Sequence, residues 1–214
     1  MLFANTFSLN RSIGLSRRSR RLSQPVELVG QFRQLALAEM ALSAARGVTQ
    51  VMNRCEDAKS SGFLDLSNCS LMYIADAIYL VLKGHNITKC SLKNNSLKKF
   101  PKKMIDRFPG MMIFNMEGNQ LDETPEELCS WVSMKGINFA HNKLTRFPEQ
   151  LYAMKELSLL DLSGNPIDDL DVEMLYTELP LLHQITLKDL NLPSETVNQL
   201  KNHPKKPKNM IINM

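Results

Sequence analysis

The segment LSLLDLSGNPI, residues 157–167, decides how this sequence folds. Leu160 and Leu162 lie two residues apart, on either side of Asp161, which is typical of a strand with one buried face. Asn165 follows the strand, where a side-chain amide can both donate hydrogen bonds to turn backbone groups and accept them. The segment therefore predicts a short strand that leads into a buried turn.

Five further windows carry the same pattern, LxxLxLxx(N/C)xL. They begin at Ser61, Ile87, Met111, Met134 and Leu182. Consecutive starts are 23 to 26 residues apart. A fixed period of this length marks a repeat architecture, in which each unit buries its apolar face against its neighbours. Six stacked repeats predict one parallel sheet.

The ninth position of each window holds the turn residue. Asparagine occupies it in four windows, as Asn95, Asn119, Asn142 and Asn165. Cys69 replaces it in the first window and Leu190 in the last. Because buried turn groups need hydrogen-bond partners, we predict a structural ladder of asparagines without a catalytic role.

A second signature follows three of the predicted strands and ends in proline. It reads LKKFP at 97–101, LDETP at 121–125 and LTRFP at 144–148. Proline fits the first turn of a helix, where its missing N–H is not needed. Each repeat is therefore expected to return to the sheet through a short helix or 3₁₀ turn. The fold class that follows is α/β.

Each repeat thus combines a strand-and-turn window with a returning half that carries the proline signature. In this combination, residues 61–192 resemble the intracellular leucine-rich repeat proteins of the short class, with about 23 residues per repeat. The resemblance implies a right-handed solenoid with a concave parallel sheet and short helices or 3₁₀ turns on the convex side. It also implies a cytoplasmic location and a role in binding another protein. The proline-containing half differs from the repeats of phosphatase regulators, so phosphatase binding is not implied.

Three flanking segments complete the expected domain organisation. Residues 1–39 form a basic extension that we expect to be disordered, residues 40–60 an amphipathic cap helix, and residues 193–214 a C-terminal cap helix with a basic tail. Two interpretations of residues 1–39 remain. Five Arg, five Ser and no acid in residues 1–24 are typical of a mitochondrial transit peptide. Alternatively, these residues extend a body that starts at Met40.

No catalytic signature is found. The chain lacks the GxxxxGK[ST], GxGxxG, HExxH and GxSxG motifs, and its four histidines and four cysteines are scattered. We therefore expect no enzyme activity, cofactor or metal. Residues 40–214 carry 20 basic and 20 acidic side chains, which argues against a nucleic-acid binder. The absence of a long apolar run excludes a transmembrane segment, and we expect a monomer.

The candidate partner-binding residues occupy window positions that point away from the core, onto the concave face. They are Phe63, Lys89, Lys93, Ile113, Asn115, Glu117, Asn138, His141, Leu159, Asp161 and Lys188. Apolar side chains at three of these positions would face water, which favours a binding surface. We therefore predict a non-enzymatic adaptor or scaffold that binds a protein across the concave face.

Charge clusters leave an alternative open. Seven lysines lie between Asp76 and Asp106 with no acid among them, whereas residues 117–127 and 161–178 carry acids only. A partner could be oriented by such a bipolar surface, although charge runs are usually just solvated. The alternative function is an anionic-surface binder, of membrane lipid or RNA, that uses the lysine-rich second repeat. Its steep loss of affinity with salt would distinguish it.

Overall fold

The structure is a computed structural model that describes residues 24–214. Its helices are α1 (Gln24–Ser61), α2 (Asp76–Val81), α3 (Lys103–Arg107), α4 (Val172–Glu178) and α5 (Ser194–Asn202), with 3₁₀ helices at Glu126–Ser130 and Glu149–Ala153. The strands are β1 (Phe63–Asp65), β2 (Lys89–Ser91), β3 (Ile113–Asn115), β4 (Gly136–Asn138), β5 (Leu159–Asp161), β6 (Gln184–Thr186) and β7 (Ile211–Asn213).

The seven strands form one parallel sheet in sequence order. The register aligns equivalent window positions, so that Cys90 pairs with Phe114, and Phe114 with Ile137. The first six strands occupy positions three to five of the six predicted windows. The predicted α/β leucine-rich repeat architecture is therefore confirmed.

The core lies between the sheet and the returning segments. Each of the first six strands buries its central residue, because neighbouring side chains alternate between the two faces of the sheet. Trp131 is fully buried, and its ring centroid lies 5.0 Å from that of Phe114 and 5.7 Å from that of Phe100. Its indole N–H donates to the Phe108 carbonyl at 3.0 Å. This aromatic cluster ties the second and third repeats together.

The returning segments follow the proline signature. Pro125 and Pro148 directly precede the two 3₁₀ helices, and Pro101 precedes α3 by two residues. Between β1 and β2 the chain forms the short helix α2, which covers only Asp76–Val81. Its buried residues, Ile78 and Tyr79, still anchor the segment to the core.

The N-terminal part departs from the expected organisation. Among the described residues, the chain divides into two units between Ala45 and Arg46. Helix α1 begins at Gln24, within the segment for which disorder was expected, whereas residues 1–23 lie outside the described residues. Pro25 fits a first helical turn, and the Leu, Ala, Gln and Glu residues that follow favour a helix. Among the described residues, no helix is long and apolar enough to cross a membrane.

The C-terminal part also differs from the expectation. Helix α5 (Ser194–Asn202) lies where a cap helix was expected, but the tail ends in β7, which pairs with β6. Lys205 and His203 both contact the Glu173 carboxylate of α4. The His203 Nε2 atom lies 3.0 Å from the Glu173 Oε2 atom. Strand β7 begins 27 residues after β6, close to the repeat period, but no turn asparagine follows it in the given sequence. The window pattern could not detect it for that reason.

Candidate functional site

The sheet register arranges the outward side chains in columns that cross the strands. The position-three column runs through Phe63, Lys89, Ile113, Gly136, Leu159, Gln184 and Ile211. The position-five column runs through Asp65, Ser91, Asn115, Asn138, Asp161, Thr186 and Asn213. Together these columns form the concave face of the sheet.

An apolar patch occupies the middle of the position-three column. We define it as Ile113, Gly136 and Leu159, which are direct neighbours on β3, β4 and β5. The Ile113 side chain is 44% exposed and that of Leu159 is 49% exposed, although both are aliphatic. A Cβ built on Gly136 would lie 3.8 Å from the Leu159 Cβ and 4.0 Å from the Ile113 Cγ1. The two side chains therefore close over the glycine and form one continuous surface.

Two further apolar residues of the same column lie apart from the patch. Phe63 is 43% exposed on β1, and Ile211 is 47% exposed on β7. Lys89 separates Phe63 from Ile113, and Gln184 separates Ile211 from Leu159. The structure therefore places Ile113 and Leu159 together but leaves Phe63 at the first edge of the sheet.

The position-five side chains are partly occupied with their own turns. The Asn115 Oδ1 atom accepts a hydrogen bond from the Glu117 N–H, and the Asn138 Oδ1 atom accepts one from the Ala140 N–H, each at 2.9 Å. The Asp161 carboxylate accepts from the N–H and the hydroxyl of Ser163. These side chains stabilise the strand exits, so three predicted binding residues also have a structural function.

Three predicted residues form a polar chain beside the patch. The Lys93 ammonium lies 3.0 Å from one carboxylate oxygen of Glu117, and the Asn138 amide donates to the other oxygen at 3.2 Å. All three side chains are half-buried. A partner that used any of them would have to replace existing contacts, which lowers the net gain in binding free energy.

The asparagine ladder has the structure that the sequence predicts. The Asn119 amide donates to the carbonyls of Leu92 and Met116, and its Oδ1 atom accepts from the Leu97 N–H. Asn95, Asn142 and Asn165 repeat this arrangement. Each side chain thus joins its own repeat to the preceding one. All four asparagines are buried, so their role is structural.

The residue before each ladder position has a left-handed backbone, a feature that the sequence analysis missed. Positive φ occurs at Asn68, Asn94, Gly118, His141, Gly164 and Asp189. The signal was present, because Asn, Asp and Gly are the residues that most readily adopt this conformation. The His141 side chain is exposed, as predicted. Its backbone adopts the same left-handed conformation, with φ of 54°. A Cβ on Gly164 would lie 2.4 Å from the His141 Nδ1 atom, so the imidazole rests on that glycine.

Arg54 completes the first edge of the sheet, which the sequence analysis also missed. In later repeats, the carbonyls at positions five and seven accept from the preceding repeat, as Ser91 O does from the Leu66 N–H at 2.8 Å. Within residues 24–214, no strand precedes the first repeat. Its equivalent carbonyls, of Asp65 and Ser67, accept from the Arg54 guanidinium at 3.2 and 2.6 Å. Partial burial would raise the pKa of Asp65, but hydrogen bonds from Ser67 and the Arg54 charge hold it below its usual value.

The lysine run does not form the free cationic surface of a bipolar solenoid. Its members pair with carboxylates of neighbouring repeats: Lys93 with Glu117, Lys99 with Glu123 and Asp122, Lys102 with Glu127, and Lys103 with Asp76. Within the part of the chain that the structure describes, Lys83, Lys89 and Lys98 have no carboxylate partner. The opposite charge runs therefore neutralise each other across the repeat interface.

The described residues form no cluster of His, Cys, Asp and Glu that could hold a metal ion. Burial raises the pKa of the Cys55 and Cys90 thiols, which makes them less reactive. One surface cleft is bordered by Lys99, Lys102, Glu123 and Glu127, which pair with one another. Lys188, the remaining predicted residue, is exposed on the strand exit of β6.

Comparison with known proteins finds relatives that match about half of this chain. The chain is 30% identical over 112 residues to the protein flightless-1 homolog of Caenorhabditis elegans, covering 51% of this chain and 9% of that protein. It is 32% identical over 96 residues to leucine-rich repeat-containing protein 20 of Mus musculus, covering 44% of this chain and 51% of that protein. The chain thus spans about half the length of the second relative and much less of the first. No protein-family model matches it.

Solved structures show the same fold. The leucine-rich repeat protein LIC12759 of Leptospira interrogans matches with a TM-score of 0.56 and 20% identity, covering 68% of this chain and 35% of that one. The leucine-rich repeat domain of APL1B matches with a TM-score of 0.53 and 18% identity, covering 72% of this chain and 43% of that one. From its repeat pattern, its sheet and these solved structures, the chain has the leucine-rich repeat fold.

Proposed function

We propose that this chain is a non-enzymatic protein-binding module, an adaptor or scaffold, whose partner lies across the concave face. The observation that carries the proposal is the apolar patch. Ile113 and Leu159 close over Gly136 yet remain nearly half exposed. Leaving two adjacent aliphatic side chains in water is unfavourable, and covering them with a partner recovers hydrophobic free energy.

The surroundings of the patch support this assignment. The position-five residues on either side of Ile113 and Leu159 already hydrogen-bond to their own turns, and Lys93 and Glu117 pair with each other. The groups bordering the patch are therefore held in place before a partner arrives. Preorganised surfaces lose less conformational entropy on binding, which favours recognition.

The intracellular compartment is part of the proposal. All four cysteines, Cys55, Cys69, Cys90 and Cys129, are free thiols. Free thiols persist in reducing compartments, whereas secreted domains of this size commonly use disulfides. We therefore place the module in the cytoplasm.

Proximity labelling in cells with matched variants tests the proposal. Ile113→Glu combined with Leu159→Glu introduces two charges on the concave face. Leu80→Glu combined with Val132→Glu is the control, since these side chains are 71% and 62% exposed on segments outside the sheet. We expect the concave variant, and not the control, to lose labelled proteins while both keep the wild-type melting temperature. Identical labelled sets for all three proteins would refute the concave assignment.

The anionic-surface alternative has weaker support. Lys93, Lys99, Lys102 and Lys103 are engaged in ion pairs, which lowers the charge available to phosphate groups. Sedimentation with vesicles of phosphatidylserine and phosphatidylcholine at 50 and 300 mM salt would test it. Binding that disappears at the higher salt, and that Ile113→Glu leaves unchanged, would favour this alternative.

A further inference from the structure

Two lysines at the borders of the apolar patch distinguish it from the rest of the concave face. Lys89 is the direct neighbour of Ile113 across the β2–β3 pair, and Lys135 directly precedes Gly136. Both are exposed, and neither forms an ion pair with any described residue. They contrast with Lys93, whose ammonium group is held by Glu117.

The acidic side chains of the same strands lie towards the strand exits. Lys93 forms an ion pair with Glu117, whereas Asp161 accepts hydrogen bonds from Ser163 and keeps its negative charge without an ion pair among the described residues. One exposed acid, Glu156, lies at the amino-terminal side of β5 and has no ion pair among the described residues. The borders of the patch away from the strand exits therefore carry two unpaired lysines and one acid.

We propose that the partner contacts the apolar patch with an acidic protein segment that carries an aliphatic side chain. The aliphatic group packs on Ile113 and Leu159, and carboxylates flanking it reach Lys89 and Lys135. This inference rests on the proposed function, because it names the chemistry of the partner at the same face. Apolar burial supplies affinity, and the charge match supplies specificity and a faster association rate.

A random 12-residue peptide library displayed on phage is the probe. Peptides are selected on the full chain and counter-selected on the Ile113→Glu/Leu159→Glu variant, so that only binders of the patch remain. We expect the enriched peptides to carry at least two acidic residues beside a Leu, Ile, Val or Met. Their binding should weaken as sodium chloride is raised from 50 to 500 mM, because exposed charges are screened.

Fluorescence anisotropy with one enriched peptide tests the two lysines. Lys89→Glu combined with Lys135→Glu should weaken binding about tenfold, and Glu156→Gln should strengthen it by about twofold. Lys201→Glu combined with Lys208→Glu is the control, because it changes the net charge equally at exposed positions of the C-terminal part. This control should alter affinity by less than about twofold.

The outcomes separate this inference from the proposed function. Enriched peptides that are neutral or basic, or unaffected by the Lys89 and Lys135 reversals, would overturn the acidic partner and leave the concave assignment intact. A library without patch-dependent binders would do the same if proximity labelling still depends on Ile113 and Leu159. If neither peptide binding nor proximity labelling depends on Ile113 and Leu159, both proposals are overturned.

Discussion

Replacing Arg54 by methionine should destabilise the first repeat. In later repeats the preceding repeat donates hydrogen bonds to these edge carbonyls, whereas in the first repeat the Arg54 side chain donates them. The guanidinium donates to the carbonyls of Asp65 and Ser67 and lies 3.8 Å from the Asp65 carboxylate. Methionine keeps the aliphatic length but removes every donor. Arg54→Met therefore leaves the Asp65 carbonyl without a protein partner and the Ser67 carbonyl with only the weak Cys69 thiol donor at 3.5 Å.

The expected magnitude follows from the exposure of the site. An acceptor left unsatisfied costs about 1–3 kcal/mol when it is fully buried. The Arg54 side chain is 26% exposed, so water can reach the vacated position and the lower end applies. Two carbonyls then give a loss of about 2 kcal/mol in the free energy of unfolding. Arg54→Lys, which restores the charge with different donor geometry, should recover part of this loss.

Urea unfolding should be followed by circular dichroism and by Trp131 fluorescence. Trp131 is fully buried and reports on the middle repeats, so its transition can differ from that of the whole chain if the first repeat opens separately. Hydrogen exchange at the Leu66 and Asn68 amides, which bond to β2 and its turn, should accelerate in the variant. Arg46→Met, at an exposed α1 position, should change stability by less than about 0.5 kcal/mol. Unchanged midpoints and exchange rates in Arg54→Met would refute the edge-cap role.

Three further outcomes are expected. Asn119→Leu should lower the free energy of unfolding by about 2–4 kcal/mol in urea titrations, because buried groups of two repeats lose their partners. Gly164→Ala should lower the melting temperature, since its φ is 65° and its Cβ would meet the His141 ring; removing that ring with His141→Gly should restore part of the loss. The lowered pKa of Asp65 stabilises the fold above the unfolded-state value of 3.8, and this contribution is lost as the pH falls through the folded-state pKa. A carboxyl NMR titration midpoint at or above 3.8 would contradict that direction.

The repeated parts of the fold were predictable from sequence because repetition averages out local ambiguity. One strand of three residues carries little information, but six windows in register place the strands and the ladder at Asn95, Asn119, Asn142 and Asn165. The same buried backbone groups recur in each repeat, and an asparagine side chain can form hydrogen bonds with them. One physical reason therefore explains all four turn asparagines. The outward residues of the sheet followed directly from the alternation of side chains along a strand.

The ends of the stack could not be predicted in the same way, because each end is stabilised by contacts that do not recur in the other repeats. Arg54 acts on carbonyls 11 and 13 residues away, and nothing in its local sequence indicates those partners. Strand β7 is defined by pairing with β6, not by its own pattern. The ion pairs of the lysine run likewise join residues 23 to 27 positions apart. Contacts that depend on how repeats stack need the three-dimensional register.

The internal bonds of the sheet explain why binding should concentrate on one column. Position nine supplies the ladder, position eight adopts the left-handed turn, and position five caps the strand exit in four of the repeats. Changes at these positions alter stability as well as binding. Position three lies at the start of each strand, and its outward side chains are not needed for these turns. Ile113, Gly136 and Leu159 are therefore the residues whose chemistry can be matched to a partner at least cost to the fold.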